Sequence, residues 1–177
     1  HLEVDYNDRR IDLVEEGFDM ALRIGNLKDS TQVARKLLEV TTVCLASDQY
    51  LEQAGEPIHP MELERHNVLR YSNITGSRPL TFFDNVGVAY QPRLRGRLSC
   101  NNGEQLLSAC ESGLGISVAP DFLGHRALCA GTVKPILQRY KTKPTGLHLV
   151  FPPGRFISRR VRSLSEFLAD KFQQESV

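Results

Sequence analysis

Residues 17–25 read Gly-Phe-Asp-Met-Ala-Leu-Arg-Ile-Gly, and this stretch decides the fold prediction. Its apolar side chains alternate along the chain, as in a β-strand with one buried face: Phe18, Met20, Leu22 and Ile24. Before it, Asp8 is suited to cap a short helix that ends at Gly17, and residues 1–6 alternate again like a strand. Strand, helix and strand in this order are typical of a parallel βαβ unit, so the N-terminal region predicts an α/β protein.

The rest of the chain continues this mixture of helices and strands. Three of the predicted helices follow the favoured N-cap residues Ser47, Asn102 and Ser158, and another has Pro60 in its first turn. The predicted elements are a strand over 40–46, a helix over 49–54, a helix starting at Pro60, a hairpin over 81–90, a strand over 93–98, a helix over 102–112, and strands over 116–119 and 147–151, with a helix after 158.

Composition excludes several classes of protein. The chain has 177 residues, 41% of them hydrophobic and 24% charged, with a formal net charge of +1. These values are those of an ordinary globular domain rather than a disordered chain, collagen or coiled coil. No apolar run approaches the roughly 20 residues of a membrane span, and residues 1–6 do not resemble a signal peptide. A nearly neutral chain is also not expected to bind nucleic acid by itself.

Motifs for catalysis and metal binding do not occur in recognisable form. The chain has no nucleophile elbow, P-loop or zinc-protease motif, and Gly113-Leu114-Gly115 lacks the third glycine of a dinucleotide site. The four cysteines form no C-x-x-C pair, which favours a reducing cytoplasm. We therefore expect no enzyme activity, no metal ion and no cofactor. Cys100, which precedes a helix start, is either a redox sensor or a half-buried packing residue.

One position favours a small-molecule site. A strand ending at Cys100 leads into Asn101 and Asn102 at a helix N-terminus, where free N–H groups and the helix dipole favour an anion. Ligands bind at such strand ends in open α/β sheets. A capped helix start without a ligand explains the same residues equally well.

An ordered set of segments gives the chain a family resemblance. These segments are 12–25, 33–37, 44–47, 50–51 and 55–57, followed by Leu63, His66, Asn101, Asn102, residues 113–116 and Pro120. Over essentially the whole chain they resemble the effector-binding domain of LysR-type transcriptional regulators. Arg23-Ile24-Gly25 is similar to a large branch of this family that includes many proteobacterial regulators.

The resemblance implies a periplasmic-binding-protein-like fold of type 2. Two Rossmann-like α/β subdomains would be joined by two crossing strands, 40–46 and 147–151, with a ligand cleft between them. We expect subdomain I to hold residues 1–44 plus 150–177 and subdomain II to hold residues 45–149. Subdomain I is expected to be truncated at its N-terminus, lacking an opening strand and helix.

The same resemblance implies where an effector would bind. The matching positions lie in three segments: Arg23, Ile24 and Gly25; Tyr71, Ser72 and Asn73; and Asn101 and Asn102. The implied ligand is a small metabolite, often an organic anion, for which Arg23 would be a carboxylate partner. Alternatively, Arg23 forms a structural ion pair with Asp19 or Asp5.

The implied function is that of a ligand-sensing and oligomerisation domain of a cytoplasmic DNA-binding regulator. We expect a homodimer or homotetramer formed through this domain, no membrane contact, and DNA binding only through an N-terminal helix-turn-helix that this chain lacks. The alternative is a solute-binding receptor of a transport system with the same fold, against which the missing signal peptide argues.

Overall fold

In a computed structural model, the structure describes residues 1–6, 8–9, 11–25, 33–73, 79–154 and 156–174. Within these residues the strands are β1 (Ala21–Ile24), β2 (Val33–Val40), β3 (Thr42–Ala46), β4 (Val68–Tyr71), β5 (Phe82–Phe83), β6 (Ala89–Tyr90), β7 (Ser99–Cys100), β8 (Ile116–Pro120), β9 (Lys134–Ile136), β10 (Lys141–Thr142) and β11 (Thr145–Phe151). The helices are α1 (Asp48–Ala54), α2 (Gly103–Glu111), α3 (Asp121–Ala130) and α4 (Arg159–Gln174), with a 3-10 helix over Pro60–Arg65.

The chain forms two compact units. Unit 1 holds residues 1–9 and 41–143, and unit 2 holds residues 10–40 and 144–177. The chain passes from unit 2 to unit 1 between residues 40 and 41, and returns between residues 143 and 144. The first position lies within the expected crossing strand 40–46, and the second lies shortly before the expected crossing strand 147–151. The subdomain boundaries predicted from the sequence, at 44/45 and 149/150, stay a prediction.

Unit 1 is built on a mixed five-stranded sheet with the order β7-β4-β8-β3-β9. Strand β4 lies between β7 and β8 and is parallel to both, whereas β3 is antiparallel to β8 and β9. Helices α2 and α3 pack on one part of this sheet through Leu106, Cys110 and Ala127, all of which are buried. A small antiparallel sheet, β10-β5-β6, completes the unit and contains the predicted hairpin.

Unit 2 is an antiparallel sheet with the order β1-β11-β2, covered by α4. The core between sheet and helix includes Leu149, Phe151 and Ala169. Ser158 begins α4 as predicted, because its Oγ accepts a hydrogen bond from the Val161 N–H at 3.3 Å. The buried faces of β11 and α4 therefore hold this unit together.

The predicted N-terminal βαβ unit is wrong in the described part of the chain. Residues 1–6 form no strand, and residues 13–17 form turns instead of a helix. Strand β1 pairs with β11 and is antiparallel to it. The turns form because Asp12 Oδ1 accepts hydrogen bonds from the N–H groups of Val14 at 2.7 Å and Glu15 at 3.3 Å. These bonds and the one from the Glu16 N–H to the Asp12 carbonyl, at 3.1 Å, form a single turn, which is too short to be stable as a helix.

The strand predicted over 93–98 is also wrong, since the ladder forms only over Ser99–Cys100. By contrast, the helix after Ser47 is confirmed as α1, with the Ser47 side chain accepting from the Tyr50 N–H and Gly55 ending it. The predicted helix after Asn102 is confirmed as α2.

Candidate ligand-binding site

Five of the predicted site residues lie together on unit 1. Strands β4 and β7 are parallel neighbours, with Tyr71 opposite Cys100, so the residues that follow each strand emerge side by side. The Ser72 N–H continues the ladder by donating to the Cys100 carbonyl at 2.9 Å. Segments 71–73 and 100–102 thus form one edge of the sheet at the carboxyl ends of its strands, which is where α/β proteins bind ligands.

Asn73 holds these two segments together. Its Nδ2 donates to the Asn101 carbonyl at 3.1 Å and to the Asp8 carbonyl at 2.9 Å, and it lies 3.5 Å from the Tyr71 hydroxyl. An amide group has only two N–H bonds, so this nitrogen is fully used inside the protein. Asn73 therefore positions the edge. The contribution of Asp8 was missed because it comes from a segment far away in sequence.

Asn102 and Asn101 have different roles at the start of α2. Asn102 Oδ1 accepts a hydrogen bond from the Gln105 N–H at 3.1 Å and so caps the helix. Asn101 is exposed, and its Oδ1 has only a long contact, 3.9 Å, with the Cys100 thiol. Its side chain can therefore turn to a ligand at the positive end of the helix dipole without loss of the cap.

Tyr71 offers a neutral hydroxyl at this edge. Partial burial of the ring raises the pKa of Tyr71 above its usual value, although the hydrogen bond with Asn73 acts in the opposite direction. The hydroxyl consequently stays protonated at physiological pH. The nearby Asp8 carboxylate also raises this pKa, because it interacts with the protonated hydroxyl and repels the ionised one.

Arg23, Ile24 and Gly25 lie at the end of β1 on unit 2. Arg23 Nη2 donates to the Ile11 carbonyl at 2.7 Å, and the Gly25 N–H donates to the Gly146 carbonyl at 2.9 Å. The side chain of Ile24 is 46% exposed. This contact holds the Arg23 guanidinium close to the 13–17 turns.

Register places two further basic residues beside Arg23, and sequence reasoning missed both. Arg23 is opposite His148, and His148 is opposite Lys36, so the three side chains form a row across the sheet. Among the described residues, the buried His148 Nδ1 has no hydrogen-bond partner. Lys36 Nζ contacts Glu39 Oε1 at 2.7 Å in an exposed ion pair. Only the pairing with β11 could reveal this row, since 23, 36 and 148 are far apart in sequence.

Three other features would also indicate a function in the part of the chain that the structure describes: a metal site, a membrane-spanning helix or a reactive cysteine. No group of three or more His, Cys, Asp and Glu side chains there could hold a metal ion. None of its helices is both long and apolar enough to span a bilayer. All four cysteines are free thiols, and burial raises the pKa of Cys44 to about 12. The sensor hypothesis for Cys100 stays a prediction.

A family model for the LysR substrate binding domain matches residues 1–173. An HTH-type transcriptional regulator of Haemophilus influenzae is 37% identical over 171 residues, which cover 93% of this chain and 57% of that regulator. The HTH-type regulator YhjC of Escherichia coli is 36% identical over 169 residues, which cover 95% of this chain and 56% of YhjC. The chain thus spans little more than half the length of these relatives, which are regulators rather than enzymes.

Solved structures give the same fold. The full-length Vibrio cholerae virulence activator AphB, a member of the LTTR family, superposes with a TM-score of 0.80 and 26% identity, over 97% of this chain and 58% of AphB. The regulatory domain of CrgA from Neisseria meningitidis, a LysR-type regulator, gives a TM-score of 0.78 and 29% identity, over 92% of this chain and 79% of that domain. The predicted periplasmic-binding-protein-like fold of type 2 is therefore confirmed.

Proposed function

The chain belongs to the LysR substrate-binding domain family, and from this premise we propose that it senses a small organic anion on behalf of a LysR-type transcriptional regulator. The observation that carries the proposal is the edge formed by segments 71–73 and 100–102. There the carboxyl ends of two parallel strands adjoin the N-terminus of α2. Such an edge offers N–H groups and a positive dipole to a negatively charged ligand.

The side chains at this edge suit an anion that also carries hydroxyl or keto groups. The Asn101 amide and the Ser72 hydroxyl supply exposed, neutral donors. Tyr71 lies beside them, and the Asp8 carboxylate interacts with its hydroxyl, so we assign Tyr71 to the wall of the site. Asn73 and Asn102 hold the edge in shape, as their hydrogen bonds indicate, and we assign them positioning roles.

Unit 2 would supply the positive charge. Arg23 is the candidate for a bidentate contact with a carboxylate, and His148 and Lys36 lie in the same row. In this proposal the ligand occupies a cleft between the two subdomains, 1–44 plus 150–177 and 45–149, with Ile24 and Gly25 as neighbours of Arg23. The similar proteins are HTH-type transcriptional regulators, which supports a regulator over a transport receptor.

The full protein is proposed to act as an oligomeric, cytoplasmic regulator. The relatives are HTH-type regulators, so a helix-turn-helix segment outside this chain would contact DNA, while this domain forms a homodimer or homotetramer. A ligand changes the output only if its affinity differs between two arrangements of the protomers. Its binding free energy then shifts the balance between them.

The test is a thermal-shift screen with small carboxylates, followed by calorimetry on two variants. A ligand at a hundredfold excess over its dissociation constant stabilises the folded chain by about 2.7 kcal/mol. We expect Asn101→Ala and Arg23→Gln each to weaken a hit by about tenfold or more, because each removes a contact with the anion. The matched control is Arg126→Gln, an exposed arginine on α3 that should leave the affinity unchanged.

The proposed site would be wrong if hits bind equally well to Asn101→Ala and Arg23→Gln. Loss of binding in Arg126→Gln as well would show that the hits recognise surface charge only. If no carboxylate in the screen stabilises the chain, the anion assignment fails.

A further inference from the structure

A turn on unit 1 presents a fixed negative charge. It connects β5 to β6, and Asp84 organises it: Oδ1 accepts from the N–H groups of Val86 at 3.0 Å and Val88 at 2.8 Å, and Oδ2 accepts from the Tyr90 hydroxyl at 3.1 Å. The Gly87 N–H also bonds to this carboxyl, so all of its roughly four acceptor positions have a donor and the group is held in place as a negative charge. Desolvation raises the pKa of the Asp84 carboxyl, but the hydrogen bonds lower it by more. The pKa is therefore below its usual value, and the group remains ionised.

The same turn borders an open cavity of about 230 Å³. Its walls are residues 84–86 together with Arg139 and Tyr140. Drug-sized ligands occupy sites of about 300–1,000 Å³, so this cavity suits a smaller metabolite. All of its walls come from unit 1.

The two charged groups of this cavity do not neutralise each other. Asp84 and Arg139 both line it, but they form no ion pair with each other, and in the described part of the chain Arg139 forms no ion pair or side-chain hydrogen bond at all. An exposed ion pair would add little stability, so the fold does not require these two groups to pair, and both can contact a ligand in the space that they line.

The third wall is rigid. The Tyr140 ring packs edge-on against His59, with centroids 5.5 Å apart, and against Tyr90, with centroids 5.8 Å apart. The Tyr90 hydroxyl in turn is bonded to Asp84. The aromatic surface and the carboxylate therefore keep a constant spacing, which lowers the entropy cost of binding.

We propose that this cavity binds a free α-amino acid. The ligand carboxylate would contact the Arg139 guanidinium, its ammonium would lie next to the negative charge of the Asp84 carboxylate, and its side chain would lie against Tyr140. A simple anion would be repelled by Asp84 and a simple amine by Arg139, whereas a zwitterion satisfies both charges. This site shares no residue with the edge formed by 71–73 and 100–102, so it is independent of the proposed function.

The test is an NMR titration of the 15N-labelled chain with glycine, L-leucine and L-phenylalanine, observing the amide signals of Asn85 and Val86. Two analogues of phenylalanine separate the charges, because 3-phenylpropionate lacks the ammonium and 2-phenylethylamine lacks the carboxylate. We expect saturable shifts with at least one amino acid. If this is phenylalanine, each analogue should bind about tenfold more weakly or worse.

Two variants complete the experiment. Arg139→Gln should weaken binding of the amino acid by about tenfold or more, while Arg95→Gln, at another exposed arginine of unit 1, should not change it. The proposal is overturned if none of the three amino acids shifts the Asn85 and Val86 signals at millimolar concentration. It is equally overturned if either analogue binds as tightly as phenylalanine, or if Arg139→Gln binds like the unmodified chain.

Discussion

Replacing Asn102 by alanine should lower the free energy of unfolding by about 1 kcal/mol. Its Oδ1 accepts the hydrogen bond from the Gln105 N–H at 3.1 Å, and alanine cannot replace this bond. The N-terminus of α2 is exposed, so water can solvate the released N–H, which keeps the cost in the middle of the usual range of about 0.5–2 kcal/mol. For a chain of this size, the melting temperature should fall by about 2–4 °C.

The measurement is urea denaturation followed by circular dichroism, with Asn101→Ala as the matched neighbour. Among the described residues, the Asn101 side chain makes only the 3.9 Å contact with the Cys100 thiol, so its truncation should change the unfolding free energy by less than about 0.5 kcal/mol. Asn102→Asp keeps an acceptor and adds a negative charge at the helix N-terminus, and it should be at least as stable as the unmodified chain.

The capping assignment is refuted if Asn102→Ala has the same urea midpoint as the unmodified chain. An equal loss in Asn101→Ala and Asn102→Ala would also refute it, since the two side chains would then support the helix alike. Under the proposed function, Asn101→Ala weakens ligand binding without this loss of stability.

Three further results are expected. Gly115→Ala should destabilise the chain by about 3 kcal/mol in urea denaturation, because its Cβ would overlap the Asn67 carbonyl oxygen, and a loss below about 1 kcal/mol would contradict this close approach. Burial lowers the pKa of His66, opposing the effect of a nearby carboxylate, so the folded state favours the neutral ring. The stabilisation from the neutral His66 ring is therefore complete above the unfolded pKa of about 6.5, and it declines as the pH falls through the folded pKa. The test is the dependence of the unfolding free energy on pH between about pH 7.5 and 5.5. A His66→Gln variant with the same dependence as the unmodified chain would count against this role. In a thiol titration with a chromogenic disulfide at about pH 8, the exposed Cys129 should react in the folded chain. Cys44, with its pKa raised to about 12, should react only after unfolding, and early reaction of Cys44 would show that it is not buried in solution.

The elements that the sequence predicted correctly depend on local chemistry. Ser47, Asn102 and Ser158 each cap the helix that was expected after them, because a cap involves residues only two or three positions apart. The strand predicted over 1–6 failed for the opposite reason. Its apolar side chains alternate, but Leu2 and Tyr6 remain 63% and 94% exposed, and a pattern without a partner strand forms no sheet.

The candidate site, likewise, could be predicted from the sequence only in part. The family resemblance located segments 71–73 and 101–102, and the strand expected to end at Cys100 located the second one independently. Parallel pairing of β4 with β7 makes the two segments neighbours. The row of Arg23, Lys36 and His148 could not be located, since it depends on register between strands that are distant in sequence. The cavity next to Asp84 likewise requires Arg139 to come near the 84–86 turn.

The central position of β11 has a consequence for how the chain folds. Strands β1 and β2 each pair with β11 and not with each other. Neither strand can therefore form its ladder before β11 has been synthesised; Ala21, for example, pairs with Val150. Unit 1, in contrast, draws its strands from residues 41–143. During synthesis from the N-terminus, unit 1 should therefore become protease-resistant on the ribosome first. Strands β1 and β2 should stay open to cleavage until β11 emerges, so the emergence of β11 is the step that allows the sheet of unit 2 to form.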